Sequence, residues 1–149
     1  MFHRFLLAAI PGPCKVYVQN GYGSPHPPEN IFWPELIENA AFGGDSAAGA
    51  QMYARLYWAY ASLEGDDVDI FTDSMANWPR MSEGFDLMLK QYPDSDYLMS
   101  GYGYMACRAG DSEKYHALNA KLRDRLSSTA WSARYSPEEC AKKFARNGV

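Results

Sequence analysis

Several features that would announce a chemistry are scarce in this chain. Its 149 residues include three cysteines and three histidines. Cys14, Cys107 and Cys140 are too widely spaced for a metal knuckle, and an odd number does not close a disulfide framework. A reducing cytoplasm is therefore the default expectation, with a Cys107–Cys140 bridge as the open alternative. His3 and His26 each lack neighbours of metal-binding type, so no metal is expected there. Basic charge is also short: 14 Lys and Arg against 18 Asp and Glu leave a net charge of −4. That balance argues against a surface that tracks nucleic-acid phosphates. The one basic cluster, Lys142, Lys143 and Arg146, reads as favourable charge near a helix end. No apolar run reaches the length of a membrane span. The run at residues 5–10, behind Arg4, is shorter than a signal core, and Pro13 rather than a small residue precedes Cys14, so neither signal nor lipid anchor is expected. Period-two alternation is nearly absent, and only KVYVQ at residues 15–19 reads as a possible strand.

What is present is an apolar, aromatic chain organised for helices. Apolar residues make up 47% and charged residues 21%, with 11 Tyr, 7 Phe and 4 Trp. A chain of this length forms one domain and buries roughly 70% of its unfolded surface. Residues 33–66 also align without a gap on residues 78–111, at an offset of 45. Trp33/Trp78, Pro34/Pro79, Glu38/Glu83, Tyr57/Tyr102, Ala61/Ala106, Gly65/Gly110 and Asp66/Asp111 coincide. Self-similarity at this period is what stacked helical hairpins produce.

Local chemistry agrees with that organisation. Trp-Pro starts a helix at each repeat, because proline suits the first helical position and keeps its predecessor extended. After Pro79, Met81, Phe85, Met88, Leu89 and Tyr92 recur at spacings of three and four, which predicts a helix with one buried face. Pro93 ends it, and Asp94 or Ser95 caps a helix from about residue 96 to 109, with Leu98, Gly101, Tyr102, Met105 and Ala109 on one stripe. Within it, Gly103 is expected to let a neighbouring helix approach closely. Gly110 closes that helix in a left-handed conformation. Asp111 or Ser112 caps the next, whose face carries Tyr115, Leu118, Leu122 and Leu126. A helix through Tyr53, Leu56, Tyr57 and Tyr60 precedes the Asp-rich insertion, PELIENAAF forms a short helix before it, and SPEECAKKFARNG a last one capped by Ser136 and Gly148. The expected fold is all-α: about six helices in residues 31–149, preceded by an irregular segment over residues 1–30.

The segment 94–122, with its YPDS start, small residues Gly103 and Ala106, and AGD turn, resembles a tetratricopeptide-type helical hairpin. Residues from about 45 to 131, with YARLYW, ACRAGD and Trp131, are similar to an uncharacterised bacterial domain of that superhelical kind. The insertion DDVDIFTDSMAN and Asn119, where a large apolar residue is usual, depart from a regular array. The resemblance implies an α-solenoid of antiparallel hairpins whose relatives mostly bind proteins or peptides. It transfers no catalytic residue or cofactor.

Site residues follow from that expectation. On the 47–64 helix, Arg55 and Trp58 fall away from the tyrosine stripe, and exposed Trp and Arg are what binding hot spots are made of. The dull alternative for Trp58 is packing beneath the N-terminal segment. Asp67, Asp69 and Asp73 lack the central glycine and closing glutamate of a calcium loop, and read as a solvated, helix-capping segment. Cys107 and His116 fall on adjacent helices as a thiol and base, without an orienting third group. The function expected is non-enzymatic binding of a protein or peptide, and self-association as a homodimer is compatible with it. A small regulatory or inhibitory protein, of antitoxin or immunity type, is the alternative, and an enzyme using Cys107 and His116 the remote one.

Overall fold

The computed structural model describes residues 37–38 and 47–147. The irregular segment expected over residues 1–30 and the strand expected within it, Cys14, His3 and His26, the helix start expected at Trp33 and Pro34, and the cap expected at Gly148 lie outside the described residues. Among the described residues the chain is all-helical: six α-helices, one 3-10 turn at Ser128–Ala130, and no strand.

Helix α1 (Ala47–Glu64) buries Tyr53, Leu56 and Tyr57 and ends where Gly65 turns left-handed at φ 73°. The Asp-rich insertion folds into the single turn α2 (Ile70–Asp73). Asp69 Oδ1 accepts from Phe71 N, and Asp73 Oδ2 accepts from Asp69 N, so the two carboxylates cap the turn reciprocally while Ile70 plugs the core. Helix α3 (Trp78–Gln91) begins one residue earlier than the Trp-Pro rule suggests, because Asn77 Oδ1 accepts from Arg80 N and serves as the cap. Met81, Phe85 and Met88 are buried as expected, but Tyr92 is 60% exposed. Pro93 forbids helical backbone at the residue before it, so Tyr92 (φ −129°, ψ 65°) leaves the helix and swings outward.

Helix α4 (Asp96–Ala109) lies between Ser95, which accepts from Leu98 N, and Gly110 at φ 80°. Every residue from Leu98 to Arg108 is buried, so α4 is enclosed on all sides rather than along one stripe. Helix α5 (Ser112–Leu122) starts at Asp111, whose Oδ1 accepts from Lys114 N at 2.9 Å. It stops at Arg123 (φ 50°), so Leu126, expected on its inner face, packs against the core from the following loop. Helix α6 (Pro137–Asn147) starts at Ser136, whose Oγ accepts from Glu139 N.

Among the described elements, the most extensively packed helix pairs are α1 with α3 and α4 with α5. The aligned positions also behave alike: Tyr57 and Tyr102, and Ala61 and Ala106, are fully buried, and Gly65 and Gly110 both take positive φ. Tyr57 Oη donates to Glu38 Oε1. Tyr102 Oη lies 2.6 Å from Ser82 Oγ and 3.0 Å from Asp86 Oδ1, and Lys114 Nζ pairs with the same Asp86 at 3.2 Å, joining α3, α4 and α5. A second, smaller core gathers Ala106, Cys107, Tyr115, Cys140 and Phe144 beneath α6. There the sequence-distant Cys107 and Cys140 meet, Cα to Cα 5.9 Å, and are joined as a disulfide.

Candidate functional site

The structure separates the two residues singled out on α1. Arg55 is exposed. Trp58 turns its indole inward, 5.0 Å from the Tyr97 ring and 5.8 Å from Phe85, and over Gly101 of α4. A Cβ built at Gly101 falls 2.0 Å from Trp58 Cζ2, whereas at Gly103 the nearest atom, Trp131 Cη2, is 3.3 Å away. The close approach expected at Gly103 is therefore tighter two residues earlier, and a tryptophan makes it. Cys107 carries no free thiol, since its sulfur is bonded to Cys140. His116 packs instead on Tyr115 and Phe144, at 5.2 and 5.9 Å. Asp69 and Asp73 are occupied as caps, and among the described residues no three His, Cys, Asp or Glu side chains cluster as a metal site.

A different place gathers functional groups. An open cleft of about 340 Å³ lies where the C-terminal end of α4 meets α6 and the segment before it. Cys107, Arg134, Tyr135, Glu139, Cys140, Lys143 and Arg146 line it. The spacing 139, 140, 143 and 146 puts four of these on one face of α6. The disulfide and Tyr115 Oη, which donates to Pro137 O at 2.7 Å, fix that face against α4 and α5.

No family model, curated protein or solved structure matches this chain.

Arg134 is held by Asp66, at the end of α1. Its backbone N donates to Asp66 Oδ2 at 3.2 Å and its Nη1 to Asp66 O at 3.0 Å. Lys143 Nζ donates to Cys107 O at 2.8 Å, and burial lowers its pKa below the ordinary lysine value against a smaller opposing effect of Asp69. Arg146 Nε donates to Lys142 O at 3.3 Å. The Tyr135 ring sits among cations, 5.9 Å from both the Arg134 guanidinium and Lys143 Nζ, and 5.1 Å from the buried Arg108. All three cleft cations thus rest on backbone carbonyls, and none forms an ion pair with a carboxylate among the described residues. Glu139, the one acid on the wall, is taken by Lys142 at 2.6 Å.

The cleft can hold an anion by charge and by guanidinium hydrogen bonds; it presents no nucleophile paired with a base. The basic residues at 142–146 were visible in the sequence, but only as charge at a helix end. Arg134 and Tyr135 carried no sequence signal, since only folding brings them to α6. A second cavity of about 240 Å³ lies between the end of α1 and residues 129–132. Asp66 Oδ1 and Trp131 Nε1, on two of its lining residues, are sealed and make no protein hydrogen bond.

Proposed function

We propose that this chain is a non-enzymatic helical-repeat protein of the tetratricopeptide-like kind that recognises a protein or peptide, and that the cleft between α4 and α6 receives it. The observation that carries this reading is the cleft itself: open on one side, lined by polar side chains fixed in advance by backbone hydrogen bonds and a disulfide, and large enough for one or two side chains of a partner. The paired behaviour of Tyr57 and Tyr102, and of Gly65 and Gly110, supports a repeated hairpin. The enzyme alternative loses its nucleophile with the Cys107 thiol. The same disulfide favours an oxidising compartment over the reducing cytoplasm that cysteine spacing suggested.

Titrating isotope-labelled protein with short acidic, neutral and basic peptides tests the proposal. At least one class is expected to shift the amide resonances of residues 134–146 selectively. If none shifts them, the cleft is not a peptide site.

A further inference from the structure

Taking the cleft as the recognition site, as proposed above, we infer that its partner is an acidic peptide segment, bound through two or more carboxylates. The sign of the charge comes first. The chain as a whole is acidic, at −4, yet Arg134, Lys143 and Arg146 face one small cleft and, among the described residues, their side-chain hydrogen bonds go to carbonyl oxygens, while Glu139 on the wall is paired with Lys142 and the Asp66 carboxylate accepts from the Arg134 backbone N. Within a Debye length of about 8–10 Å these local charges, and not the net charge, set what a docking group meets. Asp69, which acts on Lys143 more weakly than burial does, keeps its charge but caps α2 and is not among the residues that line the cleft.

The arrangement of donors separates carboxylates from phosphate. Compact phosphate sites converge backbone N–H groups, typically at a helix N-terminus. Here α4 meets the cleft with its carboxyl end, and the Cys107 carbonyl there faces Lys143. Donation falls to side chains spread along a groove: Lys143 and Arg146 one turn apart on α6, and Arg134 on the opposing segment. Two guanidinium forks suit planar carboxylates spaced along a peptide. Tyr135 and the disulfide supply apolar backing for the methylenes of Asp or Glu side chains. A nucleic-acid strand presents a longer row of charges than three cations match, to a protein whose overall sign repels it.

The test is a fluorescence titration of the full oxidised chain with a labelled Asp/Glu hexapeptide, and with its Asn/Gln counterpart. The acidic peptide is expected to bind at least about tenfold tighter, and to weaken several-fold between about 50 and about 200 mM salt. Changing both Arg134→Ala and Arg146→Ala, which are exposed and leave the core untouched, is expected to weaken it at least about tenfold. Glu139→Gln removes the one acid from the wall and is expected to tighten binding, whereas Lys121→Ala, away from the cleft, leaves it unchanged. Equal affinity for the two peptides overturns the inference, as does equal binding by the double variant with Glu139→Gln also inert. So does displacement by inorganic phosphate, or by an oligonucleotide of equal charge, at lower concentration than unlabelled peptide. Cleft resonances that respond to neutral or basic peptides alone would sink the acidic partner and leave the broader binding reading standing; silence towards every class would end both.

Discussion

Gly101 and Gly103 look alike in the sequence and are opposite in consequence. A helical glycine costs about 1 kcal/mol relative to alanine, so each must be compensated or improvable. At Gly101 the missing side chain is replaced by the Trp58 indole, wedged between Tyr97 and Phe85. Gly101→Ala forces that ring aside and is expected to destabilise by about 1–3 kcal/mol. Gly103→Ala brings a methyl to 3.3 Å from Trp131, so that indole, which borders the second cavity, must yield by a few tenths of an ångström; with that movement the variant is expected to be neutral or to stabilise by up to about 1 kcal/mol. Urea midpoints of the two variants check the contrast, and reversed signs would mean that Trp58 does not pack on α4. Tyr102 makes a second prediction at this scale. Burial, with a smaller contribution from Asp86, pushes its hydroxyl up to about 12. The folded chain then holds a proton that the unfolded chain releases between pH of about 10 and about 12, so stability is expected to fall as pH rises through that window. Tyr102→Phe should lessen the fall, measured by denaturation at a series of alkaline pH values, and the remainder belongs to the other tyrosines that burial raises, Tyr57 among them.

Elements are held by contacts that no local rule contains, and Arg108 is the clearest. It is buried in α4 with no carboxylate partner among the described residues, and its guanidinium donates to Gly65 O at 3.3 Å, to Val68 O and to Tyr104 Oη at 2.7 Å. The carbonyl end of α1 is the negative end of its dipole, so one side chain ties α1 and the start of the insertion to the central helix. Arg108→Met is expected to cost about 2–4 kcal/mol, and Arg108→Lys to recover only part of it, because an ammonium cannot fork to several acceptors. Stability curves of the pair decide this; full rescue by lysine would reduce the contact to simple charge. What was legible in the sequence divides along the same line. Ser95, Gly110, Asp111 and Ser136 mark helix ends by chemistry confined to a turn, and all four stand where expected. Tyr92 and Leu126 were placed inward by periodicity alone and lie beyond their helix ends, where Pro93 and Arg123 break the pattern. Full burial of α4 could not be read from one stripe, since it depends on what encloses it. The cleft was illegible for the same reason: it joins residue 66 to 134, and it rests on a pairing of 107 with 140 that the sequence left open.

At the scale of the molecule, the Cys107–Cys140 bond carries α6 and with it half the cleft. Closing a loop of sequence separation 33 is worth about 3–4 kcal/mol on chain-entropy grounds. Replacing both cysteines by alanine is expected to lower the melting temperature by about 10 °C. Peptide binding at the cleft should weaken in the same variant, because Lys143 and Arg146 ride on the helix that loses its anchor. A calorimetric scan beside the peptide titration measures both, and unchanged affinity would show that Phe144 and Tyr115 alone seat α6.

That bond also makes a covalent ring of everything between its two ends, including all of α5 and the 3-10 turn. Within the ring, Arg123, Arg125 and Arg134 are exposed and offer themselves to trypsin. A nick at any of them leaves two pieces that migrate as one species on a non-reducing gel and part only when a thiol is added, so damage to this segment passes unseen unless the bond is broken first.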